Sequence, residues 1–84
     1  MKVLARVVVT PKPVVNDPQG VTVGQGLRSL GFTGVEDVRV GKYIEVRLDA
    51  ESEREASESV DEMCRKLLAN GVIEDFRFEV AEAP

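Results

Sequence analysis

The order of strand-like and helix-like segments constrains the fold of this 84-residue chain more than any other feature. Four segments are predicted as strands, from β-branched residues or from an apolar alternation with a two-residue period, and two segments repeat apolar residues at helical spacing. The strand-like segments are 2–10, 35–40, 43–48 and 72–80, and the helix-like segments are 18–30 and 53–69. The order βαββαβ in one small domain, residues 1–84, predicts an α+β ferredoxin-like plait: a four-stranded antiparallel sheet with two helices on one face.

Local signals predict where these elements begin and turn. Asp17 followed by Pro18 starts the first helix, because a carboxylate caps free backbone N–H groups and proline fits the first helical position. Ser52 and Glu55 match a capping box at the start of the second helix. Gly41 is expected to take a positive φ in a tight hairpin turn between the second and third strands.

The composition argues against independent catalysis. The chain has no histidine and a single cysteine, Cys64, which removes Ser-His and Cys-His nucleophile pairs and the usual zinc ligand sets. Cys64 lies on the apolar stripe of the second helix, where a buried and unreactive thiol is expected. We therefore predict no catalytic residue, no metal site and no cofactor bound by this chain alone.

Charge and hydropathy also narrow the range of partners. The net charge is −4, and the acidic residues are concentrated in residues 51–62, so no basic patch or aromatic platform for nucleic acid is expected. No apolar run reaches the roughly 20 residues of a membrane span. The prediction is a cytoplasmic protein that binds neither nucleic acid nor membrane.

The predicted plait leaves one face of its sheet uncovered. Apolar side chains are expected on that face at Leu4, Val8, Tyr43 and Val72. An exposed apolar face is commonly closed by a second copy of the same chain. This predicts a homodimer that forms through the sheet, either alone or paired into a tetramer.

Three segments raise the question of a binding role. Residues 17–20 (Asp-Pro-Gln-Gly) are explained by helix capping, or they form a contact loop in which Gly20 lets a partner approach closely. Residues 39–42 place two cations, Arg39 and Lys42, on a solvated turn or against an acidic partner. Residues 70–75 end with Glu74 and Asp75, which point to opposite faces of a strand and cannot form an acid/base pair by themselves.

The same segments resemble a known family. The stretches Asp17–Gly20, Val38–Glu45 and Met63–Phe76 closely resemble the PurS family, the small subunit of phosphoribosylformylglycinamidine synthase. The resemblance covers nearly the whole chain. Asn16 departs from it where an aliphatic residue is common, as do Gly71, where a bulkier residue or proline is common, and Phe76, where tyrosine is common.

The resemblance implies a non-catalytic subunit of the complex that makes formylglycinamidine ribonucleotide from formylglycinamide ribonucleotide, glutamine and ATP. Dimers of such a subunit would bridge a glutaminase subunit and a synthetase subunit and assist ammonia transfer, while ATP or ADP and Mg²⁺ would belong to the complex. The candidate partner-contact residues are Asp17, Gln19, Gly20, Arg39, Lys42, Asn70, Glu74 and Asp75. A stand-alone ACT-like module that binds an amino acid at a dimer interface is the alternative.

Overall fold

A computed structural model describes all residues, 1–84. The elements in chain order are β1 (Lys2–Pro11), α1 (Pro18–Ser29), β2 (Lys42–Asp49), α2 (Glu53–Met63), a π-helical turn (Cys64–Leu68) and β3 (Glu74–Glu82). None of its helices is long and apolar enough to cross a membrane. The α+β class is confirmed, but the sheet and the position of α1 differ from the prediction.

The sheet has three antiparallel strands in the order β2-β1-β3. In the centre of the sheet, Ala5 of β1 lies opposite Val46 of β2 and Val80 of β3. The predicted fourth strand is absent from the sheet, because residues 35–40 do not pair with any strand of the chain. One reason is that the backbone N–H of Val40 donates to the Asp17 carboxylate, at 2.8 Å, instead of to a neighbouring strand.

Gly41 does not form the predicted hairpin turn. Gly31 is the only residue with a positive φ, 101°. At Gly41 the glycine is required for a different reason: a Cβ there would lie inside van der Waals contact of the Val9 carbonyl oxygen. The chain therefore passes close to the end of β1 before it enters β2, and glycine permits that approach.

The core lies between the sheet and α2. Helix α2 packs against β1 and β3, and its apolar stripe brings Val60 and Cys64 onto Val7 and Val9, all four fully buried. The stripe continues into the π-helical turn, where the N–H of Ala69 donates to the Cys64 carbonyl at 3.0 Å. Burial raises the pKa of the Cys64 thiol, as expected for a small core side chain.

Helix α1 does not cover the sheet, so the prediction of two helices on one face is wrong. It makes few contacts with any strand or with α2, and Leu30 at its end is 76% exposed. The molecule is 50 Å long, close to the sum of a ten-residue strand of about 33 Å and a twelve-residue helix of about 18 Å. Helix α1 thus extends beyond the end of the sheet.

The outer sheet face, opposite α2, is more charged than predicted. Its central residues in β1 are Leu4, Arg6 and Val8, and Arg6 lies opposite Glu45 of β2 and Glu79 of β3. Leu4 is almost buried, at 5% exposure. Of the apolar side chains predicted here, Leu4, Val8 and Tyr43 are interspersed with charges of both signs, whereas Val72 lies in the turn before β3 and not in the sheet.

Candidate functional site

Most of the predicted contact residues converge at one end of the sheet. There β1 ends and β2 and β3 begin, so that Val9 lies opposite Lys42 and Pro11 lies opposite Glu74. Asp75 lies opposite Thr10 in the same ladder. The remaining candidates reach this end through the loops that precede α1, β2 and β3.

Asp17 joins the start of α1 to the segment that precedes β2. Its Oδ1 accepts from the Gly20 N–H at 3.0 Å and its Oδ2 accepts from the Val40 N–H at 2.8 Å. These two hydrogen bonds, with a smaller contribution from the nearby Arg39 guanidinium, hold the pKa of Asp17 below its ordinary value of 3.8. The predicted cap is confirmed, and the same carboxylate also fixes residue 40.

This depressed pKa predicts an acid-sensitive junction. A carboxylate whose pKa is lower in the folded chain stabilises the fold above its unfolded pKa, and the stabilisation is lost as pH falls through the folded pKa, below 3.8. We expect Asp17→Asn to lower the free energy of unfolding at neutral pH. An asparagine side chain is uncharged and has one acceptor oxygen, whereas the two oxygens of Asp17 accept from Gly20 and Val40. The difference in the free energy of unfolding between the variant and the wild type, measured by urea unfolding, should shrink as the pH falls from about 5 to about 2. A difference independent of pH would contradict this role.

The exposed side chain of Arg39 is fixed by two backbone carbonyls. Its guanidinium donates to the carbonyls of Lys12, at 2.7 Å, and Val15, at 3.0 Å. The side chain therefore ties the segment before β2 to the loop after β1. This structural role adds to the predicted partner contact, which stays a prediction for an exposed residue.

Two ion pairs lie beside this junction. Lys42 Nζ is 3.7 Å from Glu74 Oε2, and Lys12 Nζ is 2.7 Å from Asp75 Oδ1. Glu74 also accepts the Asn70 N–H, at 2.8 Å, so a half-buried carboxylate has both a cation and a donor. A partly buried carboxylate needs such compensation.

Lys12 was missed as a site residue. It contributes a carbonyl to Arg39 and an ammonium group to Asp75. Its position between Pro11 and Pro13, at the end of a strand, was the available signal, because those prolines direct the chain away from the sheet.

A polar cleft of about 650 Å³ opens between the π-helical turn and the start of β3. The Arg65 guanidinium lies 5.5 Å from the centre of the Phe76 ring and bonds Asp61 at 2.8 Å. The cleft contains no pair of nucleophile and base, and no group of His, Cys, Asp or Glu side chains in the chain is placed to hold a metal ion. This end of the molecule presents partly exposed charges that are paired in salt bridges.

Gln19 differs from its neighbours. Asp17 and Gly20 are buried, whereas Gln19 is exposed and its side chain makes no hydrogen bond within the chain. A Cβ at Gly20 would overlap the Val38 carbonyl oxygen and lie 2.6 Å from an Asp17 oxygen. Within residues 17–20, Gln19 is therefore the exposed polar side chain, beside an exposed Pro18, and Asp17 and Gly20 hold the loop in place.

Residues 4–82 match the sequence profile of the family described as PurS, phosphoribosylformylglycinamidine (FGAM) synthase. The chain belongs to the PurS family. Similar proteins include the PurS subunits of Synechocystis, 52% identical over 89% of this chain and 75% of the relative, and of Bacillus subtilis, 49% identical over 92% of this chain and 90% of the relative.

Solved PurS structures share the fold. Thermus thermophilus PurS is 39% identical, with a TM-score of 0.88 over the full length of both chains. A chain of the structure of PurLQS from Thermotoga maritima is 30% identical, with a TM-score of 0.84 over 96% of this chain and 100% of that chain. The resemblance carried by residues 17–20, 38–45 and 63–76 is thus confirmed, whereas the contact roles of individual residues stay predictions.

Proposed function

We propose that this PurS chain is a non-catalytic assembly subunit of phosphoribosylformylglycinamidine synthase. It would bridge a glutaminase subunit and a synthetase subunit and assist ammonia transfer during the ATP- and glutamine-dependent formation of formylglycinamidine ribonucleotide. The observation that carries the proposal is the match to the PurS family over residues 4–82. The similarity to a chain of a PurLQS structure supports a role within an assembly.

The site supports docking as its mode of action. Gln19 is exposed beside a loop that Asp17 fixes at both ends, so a partner would meet a preorganised surface and less conformational entropy would be lost on binding. Lys42 and Asp75 are partly exposed members of ion pairs, which can exchange partners at little net cost. We propose that ATP or ADP and Mg²⁺ are bound by other subunits of the complex, in the cytoplasm.

Self-association through the sheet is part of the same proposal. The chain would work as a homodimer, alone or paired into a tetramer. Its half-exposed apolar residues on the α2 side of β2 and its exposed residues on α1 support this, because a monomer would leave them in water.

The test is reconstitution of the complex. The chain is mixed with the glutaminase and synthetase subunits, glutamine, ADP and Mg²⁺ and separated by size-exclusion chromatography; in parallel, glutamine-dependent turnover is measured with ATP. We expect co-elution and a gain in turnover, and we expect the chain alone to show none. A chain that neither co-elutes nor raises turnover would refute the proposal.

Gln19→Ala tests the loop within that experiment. If the loop docks, the variant should weaken complex formation by about tenfold, the effect of losing about 1.4 kcal/mol of contact, while its unfolding midpoint stays unchanged. Val14→Ala is the matched control, since Val14 is 92% exposed in the loop before α1. If Gln19→Ala assembles as well as the wild type, residues 17–20 act only as a helix cap.

The ACT-like alternative is not favoured, because the family match includes the second half of the chain. Titration calorimetry of the isolated protein with amino acids distinguishes the two. We expect no tight ligand.

A further inference from the structure

Strand β3 (Glu74–Glu82) forms an edge of the sheet along its whole length, because the strand order is β2-β1-β3. Natural proteins protect edge strands by keeping them short, by bulges, or by proline and lysine on the edge. This strand has nine residues and contains neither proline nor lysine, and its pairing with β1 runs without a bulge from end to end. The edge is therefore open to another strand.

The backbone groups that point outward from this edge belong to even-numbered residues of β3. The N–H of Ala83 donates to the Lys2 carbonyl at 2.9 Å. Because hydrogen-bonded and non-hydrogen-bonded pairs alternate along an antiparallel ladder, the odd-numbered residues of β3 are the ones that bond β1. Phe76, Phe78 and Val80 therefore direct their N–H and C=O groups away from the sheet, and no other segment of the chain bonds them.

The side chains of Phe76, Phe78 and Val80 leave the core partly open at this edge. They lie on the α2 side of the sheet and are only half-buried, and the two phenyl rings stack with their centres 6.4 Å apart. Apolar side chains that are partly in water gain stability when a second apolar surface covers them. A strand added here is thus expected to carry apolar side chains on the same face.

Charge selects one register in which β3 pairs with its own copy. In an antiparallel pair with Phe78 opposite Phe78 of the second copy, Phe76 lies opposite Val80. Arg77 then lies opposite Glu79, and neither has an ion pair within the chain. A shift of two residues places either Arg77 opposite Arg77 or Glu79 opposite Glu79, and like charges directly opposite are destabilising. A shift of one residue places phenylalanine opposite a charge.

Helix α2 does not oppose this pairing, although it is acidic overall. The Arg65 guanidinium lies 5.5 Å from the centre of the Phe76 ring, so the helix stripe that contains Arg65 faces the β3 edge. At helical spacing the same stripe contains Arg54, Glu58 and Asp61. Arg54 pairs with Glu58 at 3.4 Å and Arg65 pairs with Asp61 at 2.8 Å. The side of α2 that faces a second copy is therefore neutral.

We propose that two copies of the chain join through β3. Residues 75–81 of each copy pair in antiparallel about a two-fold axis at Phe78, and the two three-stranded sheets become one continuous sheet. The pairing stops before Glu74, whose N–H already donates to the Asn70 carbonyl at 2.7 Å. This contact uses neither β2 nor α1, so it goes beyond the self-association proposed above and pairs the proposed homodimers into tetramers.

Charge reversal tests the register. Arg77→Glu and Glu79→Arg should each weaken the step from dimer to tetramer about tenfold, since each reversed contact occurs twice about the axis. The double variant should return to within about threefold of the wild type. Lys66→Glu is the control, because it reverses an exposed cation that pairs with Glu62, outside the stripe that faces β3, and it should leave association unchanged. Sedimentation equilibrium provides the dissociation constants, and circular dichroism shows that each variant is folded.

Disulfide trapping tests the same contact directly. A mixture of the Arg77→Cys and Glu79→Cys variants should form a covalent dimer under mild oxidation, because opposite residues in a non-hydrogen-bonded pair have Cα atoms about 4.5 Å apart. Either variant alone should not cross-link, since its two cysteines lie two positions out of register, about 8 Å apart. Cys64 is buried and does not compete.

Cross-linking of each variant with itself, or none in the mixture, would overturn the inference, as would single reversals that leave association unchanged. Reversals that weaken only the assembly with the glutaminase and synthetase subunits would assign the β3 edge to one of those subunits and not to a second copy. Co-elution in the reconstituted complex is measured separately, so the proposed function can survive either result.

Discussion

Replacing Gly41 by alanine should lower the free energy of unfolding by about 3 kcal/mol, the upper end of the usual penalty for overpacking. The added Cβ would overlap the backbone carbonyl of Val9, with the Thr10 side chain 3.3 Å away. A backbone obstacle cannot rotate aside as a side chain can, so β1 and the entry to β2 must separate where Val9 lies opposite Lys42. Urea unfolding followed by circular dichroism measures the loss.

Gly71→Ala is the control for Gly41→Ala. Gly71 lies in the exposed turn before β3, and a Cβ there would meet no atom within 4 Å. Its replacement should change stability by less than about 1 kcal/mol. Equal effects at the two glycines would show that the close approach at Val9 does not constrain residue 41.

The sequence predicted the elements better than their arrangement. Asp17, Ser52 and the apolar stripe of α2 act locally, and the caps and helices that they predict are present. The hairpin failed because Gly41 has two possible uses, a positive φ or a close approach, and only the path of the chain decides between them. The position of α1 depends equally on long-range contacts, which its three glycines do not reveal.

The segments of the candidate site were predictable from the sequence, but the roles of their individual residues were not. Resemblance selected residues 17–20, 39–42 and 70–75, and the structure brings these segments to one end of the sheet. It also gives internal roles to Asp17 and Arg39, whose partners are backbone groups. Such partners leave no trace in side-chain patterns, so sequence alone could not separate docking residues from those that hold the site in place.

Gly20→Ala should separate α1 from residues 35–40 while the sheet stays folded. A Cβ at Gly20 would overlap the Val38 carbonyl and crowd the Asp17 carboxylate, at 2.6 Å, so α1 must move off the segment 35–40. Helix α1 would lose its contact with Val38, and we expect its protection from hydrogen exchange to fall by at least tenfold, as for a loss of about 1.4 kcal/mol. Hydrogen exchange reports protection in α1 and in the sheet separately.

Gly26→Ala provides the matched control in the same helix. A Cβ at Gly26 would meet no atom within 4 Å, and alanine is favoured over glycine in a helix interior by about 1 kcal/mol. We expect α1 to become more protected from exchange than in the wild type. Because both variants add one methyl group to α1, opposite outcomes would assign the effect of Gly20→Ala to its contact with Val38. Equal loss of protection in both variants would show that the stability of α1 does not depend on the packing of Gly20 against Val38.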